Sequence, residues 1–187
     1  MAWEGDPRMP APELCVQRYM LERWAEVQPD KVFAIFADGT SWTYAETLQH
    51  TIVTANALRA LGVRQGEHVL CWLPNDSDCV RLWFGLNYLG AVYVPINLAY
   101  RGSLLRHAVA LSDARLGVVH GDLHQRLGEV DLGKLKEVVV MGGAGKEVAG
   151  LTVHQLVLVI VLALNETIVQ PKTSCRDRGS VRIQSQA

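Results

Sequence analysis

Short aliphatic runs take turns with segments of helical spacing from residue 68 onward, and this alternation restricts the possible folds more than any other feature of the chain. The runs at 68–73, 91–94, 115–120 and 136–141 have the length of buried strands, the first lying between Gly66 and Pro74-Asn75. Between them, Val80, Trp83, Phe84 and Tyr88 recur at helical spacing over 77–89 and stop at Gly90. Further helices are predicted at 103–112 and from Asp122. Strand and helix following one another at this interval read as βαβ units around a mainly parallel sheet, so the predicted class is α/β.

Ahead of this region the pattern differs. Residues 12–28 place Leu14, Leu21, Trp24 and Ala25 on one helical face, and Pro29-Asp30 ends the helix. Two short strands, 32–36 and 41–44, flank Asp38-Gly39, which is the signal of a hairpin turn. From Tyr44 the spacing turns helical again, with Leu48, Ile52, Ala55, Leu58 and Leu61 in one stripe before Gly62.

Composition removes several classes of function. At 187 residues and 49% hydrophobic, the chain falls within one domain and can bury a sizeable core. A net charge of -1 with no basic stripe argues against nucleic acid. Cys15, Cys71, Cys79 and Cys175 show no zinc spacing and read as reduced thiols. Glu4, Asp6 and the early prolines make no export signal, so the expected location is the cytoplasm. The aliphatic run from Leu156 to Leu164 is about half the ~20 residues that a membrane span requires. All thirteen aromatic residues lie at or before Tyr100, so the later core is expected to consist of Leu, Val and Ala. After Pro171 the composition shifts to Arg, Lys, Ser, Thr and Gln without a usable period. The expected organisation is therefore a flexible stretch at 1–11, one domain over 12–171 and a disordered tail at 172–187.

Three candidate sites weaken on inspection. Gly142-Gly143-Ala144-Gly145-Lys146 follows a strand as a phosphate loop would, but Val140 stands where the first glycine belongs and Glu147 replaces the magnesium-binding Ser/Thr. It is expected to be a flexible strand-exit loop. His120 and His124 have the i, i+4 spacing of a paired imidazole site, yet no third ligand is suggested nearby, and they read as surface histidines. Trp24, Trp83, Phe84 and Tyr88 read as core aromatics rather than a stacking platform. No G-x-S-x-G elbow is present to begin a hydrolase triad.

Three ordered motifs remain. Residues 38–46, containing Thr43-Tyr44-Ala45-Glu46, resemble the early TYxE motif of the AMP-forming acyl-CoA synthetases. Gly62-Val63 through Gly66-Glu67-His68-Val69 is similar to their GV-x-x-G-D-x-V motif, with Glu67 for the usual Asp. Leu89-Gly90-Ala91 through Pro95-Ile96-Asn97 resembles their GA-x-x-x-P-(I/L)-N motif. Residues 97–102, 105–107 and 112–115 are most similar to the crotonobetaine/carnitine–CoA ligase branch.

The resemblance covers 12–171 and implies the N-terminal subdomain of an adenylate-forming enzyme. A full-length member takes ATP, magnesium and coenzyme A, converts a carboxylic acid to acyl-AMP and pyrophosphate, and transfers the acyl group to the thiol. Its Ser/Thr/Gly-rich loop ending in Pro-Lys-Gly is expected soon after 165–171, where Lys172, Thr173, Ser174 and Cys175 stand instead. No catalytic, cofactor-binding or metal-ligating residue is therefore assigned. A truncated or frameshifted ligase, inactive alone and prone to self-association through an exposed apolar edge, is the first expectation. The second is a non-catalytic protein-binding module derived from such a ligase.

Overall fold

The computed structural model describes residues 16–143 and 145–155. The stretch at 1–11, the start of the predicted first helix, the aliphatic run at 156–164 and the tail at 172–187 lie outside them. Two sheets are present among the described residues. Strands β1 (Val32–Ile35) and β2 (Ser41–Thr43) form the antiparallel hairpin expected around Asp38-Gly39. Gly39 takes a φ of 86°, and the Asp38 carboxylate accepts from the Thr40 backbone N–H at 3.0 Å, so the turn is closed by its own residues.

The second sheet is fully parallel and contains β3 (His68–Trp72), β4 (Val92–Pro95), β5 (Leu116–His120), β6 (Glu137–Met141) and β7 (Thr152–Gln155). Their order across the sheet is β4-β3-β5-β6-β7. Side chains alternate between two apolar clusters, as a strand period of two requires. Val69, Cys71, Val118, Val139 and Met141 pack with Leu58, Leu82 and Leu86 on one face. Leu70, Trp72, Val119, Val138 and Val140 pack with Leu105, Val109 and Leu127 on the other.

Among the described residues four α-helices accompany the strands: α1 (Gln17–Val27), α2 (Tyr44–Ala60), α3 (Ser77–Leu89) and α4 (Gly102–Ser112). The segment predicted as a helix from Asp122 is instead a 3-10 helix at His124–Glu129. Gly128 weakens an α-helix there, and the His124 ring turns back on the Gly121 carbonyl, so the short tight form is preferred. Strand β7 was not expected, because Thr152-Val153-His154-Gln155 holds a single aliphatic residue.

The buried side of α2 also differs from the predicted stripe. Thr47, Thr51, Thr54, Ala55, Ala57 and Leu58 are buried, while Leu48 and Ile52 are only half-buried. Thr47 donates its hydroxyl to the Thr43 carbonyl and Thr51 to that of Thr47, each at 2.7 Å. With its hydroxyl satisfied within the helix, a threonine presents its methyl group to a neighbour and behaves as a small apolar residue. The neighbour is α3, where a Cβ on Gly85 would stand 2.9 Å from Thr54 Cγ2. Small residues on both helices bring the two backbones close together.

Candidate functional site

In an open parallel sheet, ligands bind beyond the carboxyl ends of the strands where the chain reverses its direction of travel across the sheet. Here β4 is laid to one side of β3 and β5 to the other, so that point lies between β3 and β5. The surrounding rim consists of the residues after β3, β4, β5 and β6.

The rim is held by its own polar groups. The Trp72 indole donates to the Asn97 carbonyl at 3.0 Å across the β3–β4 boundary. The Asn97 side chain accepts from the Ala99 N–H at 2.8 Å, and Arg126 donates to the Leu98 carbonyl at 3.0 Å while its guanidinium lies 5.8 Å from the Trp72 ring centroid. One indole, one amide and one guanidinium thus fix the 97–99 turn. Sequence reasoning did not single out Trp72 or Arg126, whose partners lie 25 and 28 residues away.

His120 and His124 are not both surface histidines, and they do not face a common ligand. His124 is 2% exposed. Its Nε2 accepts from the Lys146 backbone N–H at 2.9 Å and lies 2.9 Å from the Gln125 amide nitrogen. The proton is thereby assigned to Nδ1, which donates to the Gly121 carbonyl at 2.7 Å. His120 is half-buried and accepts at Nδ1 from the Asp122 N–H at 3.2 Å. Among the described residues no group of three or more His, Cys, Asp or Glu is placed to hold a metal ion.

The glycines after β5 and β6 serve close packing. A Cβ on Gly121 would lie 2.9 Å from Gly143 Cα, and one on Gly145 would press on the Gln155 amide nitrogen. Gln155 donates to the Gly145 carbonyl, and Gln125 to that of Glu147, both at 3.3 Å. His124, Gln125 and Gln155 each hydrogen-bond to a backbone group of this exit loop.

The aromatic segment divides as well. Phe84 and Tyr88 are buried, whereas Trp83 is 46% exposed. Trp83 flanks Phe84 and Tyr93 at the side of the sheet closed by β4. Burial raises the Tyr93 phenol above its ordinary range, and a contact of 3.2 Å with Cys79 Sγ acts in the same direction.

At the amino end of the sheet a cleft of about 240 Å³ is lined by Glu67, His68, Asp113 and Arg115. Its charged groups are already paired. Arg115 meets Glu137, and Lys134 lies 2.6 Å from Asp113, holding that carboxyl below its usual range. His68 Nδ1 lies 2.8 Å from the Ser112 carbonyl, and the Arg64 N–H donates to Glu67 at 2.7 Å.

The three sequence motifs occupy structural positions. Thr43 and Glu46 form a reciprocal capping box at the start of α2. The second and third motifs lie on neighbouring strands and bond to each other. Gly66 N–H donates to the Gly90 carbonyl and Val92 N–H to that of Glu67, both at 2.8 Å. Residues 21–168 match the AMP-binding enzyme family model. The chain belongs to the AMP-binding enzyme family. It corresponds to the N-terminal portion of an AMP-forming acyl-CoA synthetase.

Similar proteins are ligases of several acids. A 2-succinylbenzoate–CoA ligase of Oceanobacillus iheyensis is 33% identical over 98 residues, which are 52% of this chain and 20% of the relative. A crotonobetaine/carnitine–CoA ligase of Salmonella paratyphi A is 37% identical over 89 residues, 46% of this chain and 17% of the relative. In structure the chain resembles a long-chain-fatty-acid–CoA ligase from Archaeoglobus fulgidus, with a TM-score of 0.70 and 27% identity over 84% of this chain and 31% of the other. An anthranilate–CoA ligase in complex with anthranoyl-AMP gives 0.67 and 27% over 82% and 30%. The chain thus spans about a fifth of these curated relatives and under a third of these solved ones.

Proposed function

We propose that this chain supplies the N-terminal scaffold of an AMP-forming acid–thiol ligase and is inactive by itself. In that reading the complete enzyme activates a carboxylic acid with MgATP to acyl-AMP and pyrophosphate, then passes the acyl group to coenzyme A in the cytoplasm. Such chemistry needs donors and a metal where phosphate charge develops, and a cation near the acid. The supporting observation is the state of the rim: His124, Arg126, Trp72 and Asn97 direct their hydrogen bonds to backbone groups of the chain itself. The acid is left open, since the relatives carry names as different as 2-succinylbenzoate and carnitine ligases.

ATP–pyrophosphate exchange by the purified chain, offered a panel of aromatic, short and long-chain acids, is the test. No exchange above the protein-free rate is expected, from material shown by its thermal transition to be folded. Exchange that depends on one of the acids would overturn the reading.

A second reading, a non-catalytic protein-binding module, draws on the apolar surface beside β4. Leu104, Leu111 and Trp83 are all exposed on the two helices flanking that strand.

A further inference from the structure

The β1–β2 hairpin forms a sheet of its own, separate from the parallel sheet. Two strands by themselves are marginal in water and need packing from outside. The aliphatic ends of β1 supply little, since Val32 and Ile35 stand 49% and 76% exposed. Two groups of aromatic contacts supply more. Near the base, Phe33 lies edge-on to Tyr44 of α2 and Phe84 of α3, at 5.4 and 5.5 Å between ring centroids. Toward the turn, Trp42 meets Phe36 at 4.8 Å and His50 of α2 at 4.3 Å. The base is also tied by backbone bonds, from the Tyr44 N–H to the Lys31 carbonyl at 3.0 Å and from the Ala45 N–H to that of Pro29 at 3.1 Å. The segment nearer the turn, 34–42, reaches α2 through Trp42 and His50, and His50 is the member of these contacts that titrates near neutral pH.

The charges around His50 come from two helices, while β2 contributes the uncharged indole of Trp42. Glu46 stands one turn earlier on α2, but its carboxylate is committed to the Thr43 N–H at 2.8 Å. Arg81 acts from α3. It meets Asp78 at 2.7 Å, while its Nε is buried without a hydrogen-bond partner among the described residues. A proton on His50 would therefore meet a cation anchored by a buried stem and a carboxylate engaged elsewhere. Burial first and Arg81 second hold the imidazole below its ordinary range, against the smaller pull of Glu46. The neutral ring is thus the form favoured by folding. Its contribution is complete above pH 6.5 and is lost as the pH falls through the lowered value.

We infer that the Trp42–His50 contact is a proton-sensitive latch, which holds the 34–42 segment of the hairpin on α2 while His50 is neutral and releases it when His50 takes up a proton. The opening is local. The base of the hairpin keeps the Phe33 contacts and the bonds to Lys31 and Pro29, none of which includes an imidazole. The parallel sheet has its own two apolar clusters, and neither contains Trp42 or His50. A segment with few buried apolar contacts opens at lower cost than the sheet beside it, so a change at one ring is enough to shift it.

Amide hydrogen exchange of the full chain, expressed as protection factors at about pH 7.5 and pH 5, reads the opening, and the ring-proton NMR shifts of His50 over the same range read its titration. The expected result is a His50 midpoint below 6.5 and a loss of protection of about threefold or more at 34–42, with β3 and β5 unchanged. His50→Phe keeps a ring against Trp42 but takes up no proton, so its protection at 34–42 should be the same at both pH values. A His50 midpoint at or above 6.5 means that the attraction of the indole face for a cation prevails over Arg81, and overturns the inference. Equal protection at both pH values in the wild type also overturns it. A fall that His50→Phe shares in full does the same and assigns the titration to another group.

Discussion

Thr43 ends β2 and begins α2, and its hydroxyl accepts from the Glu46 N–H at 3.2 Å while Glu46 accepts from the Thr43 N–H at 2.8 Å. Backbone N–H donation from Thr43, followed by hydrogen bonding from its side chain, holds the Glu46 carboxyl below its ordinary range. Thr43→Ala removes the cap and is expected to cost about 1 kcal/mol, read as a shift of the urea midpoint at constant slope. His124 acts over a longer range, since its ring joins the end of β5 to the loop leading into β7. His124→Ala leaves the Lys146 N–H and the Gly121 carbonyl without their partner, at a cost of about 1–3 kcal/mol. Hydrogen exchange should show protection lost first over residues 145–151; uniform loss across the sheet would contradict a local clasp. The spacing of His120 and His124 was visible in the sequence, but the burial of His124 was not, because the donor to its Nε2 is 22 residues away.

Helices α1 and α3 are joined by Tyr88, whose phenol donates to Glu22 at 2.7 Å while the Arg18 guanidinium stacks 4.1 Å over its ring. Burial, followed by the hydrogen bond to Glu22, pushes the Tyr88 phenol up to about 12 from an ordinary value of 10. The protonated form is the one favoured by folding, so its contribution is complete below pH 10 and is lost as the pH rises from 10 to 12. Tyr88→Phe should flatten the fall in thermal midpoint across that window while lowering the midpoint at pH 7; an unchanged alkaline slope would refute the assignment. The contact of α2 with α3 makes a different demand. Gly85→Ala gains about 1 kcal/mol of helix propensity but forces a methyl group against Thr54 and the Ala55 backbone nitrogen, 3.3 Å away. Overpacking of this kind costs about 1–3 kcal/mol, so a net loss of stability is expected, and Thr54→Ser should relieve part of it. The helix pattern was legible in the sequence, whereas its buried side was misplaced because threonine was counted as polar.

Across the whole molecule, β7 extends the sheet with little apolar surface of its own. Glu137 on β6 meets Arg115 at the start of β5 and His154 of β7, at 3.0 Å from the latter, so one carboxylate spans three strands. Glu137→Gln is expected to cost about 1 kcal/mol, since such partly exposed pairs contribute modestly. The loss should appear as faster exchange over 152–155 with little change in β3 and β5, and an equal effect on all strands would argue against a local role.

The sequence alone determined the succession of elements as far as β6, apart from the 3-10 form of the segment at His124–Glu129, and with it the hairpin at Asp38-Gly39, the α/β class and the three motifs that carry the family, because each is written in neighbouring residues through period, turn chemistry and capping. Only the tertiary structure decided the order β4-β3-β5-β6-β7, the pairing of β7, the buried threonine side of α2 and the use of His124 as a clasp. Each of these depends on a partner far along the chain, and local periodicity holds no record of which surface a residue will meet.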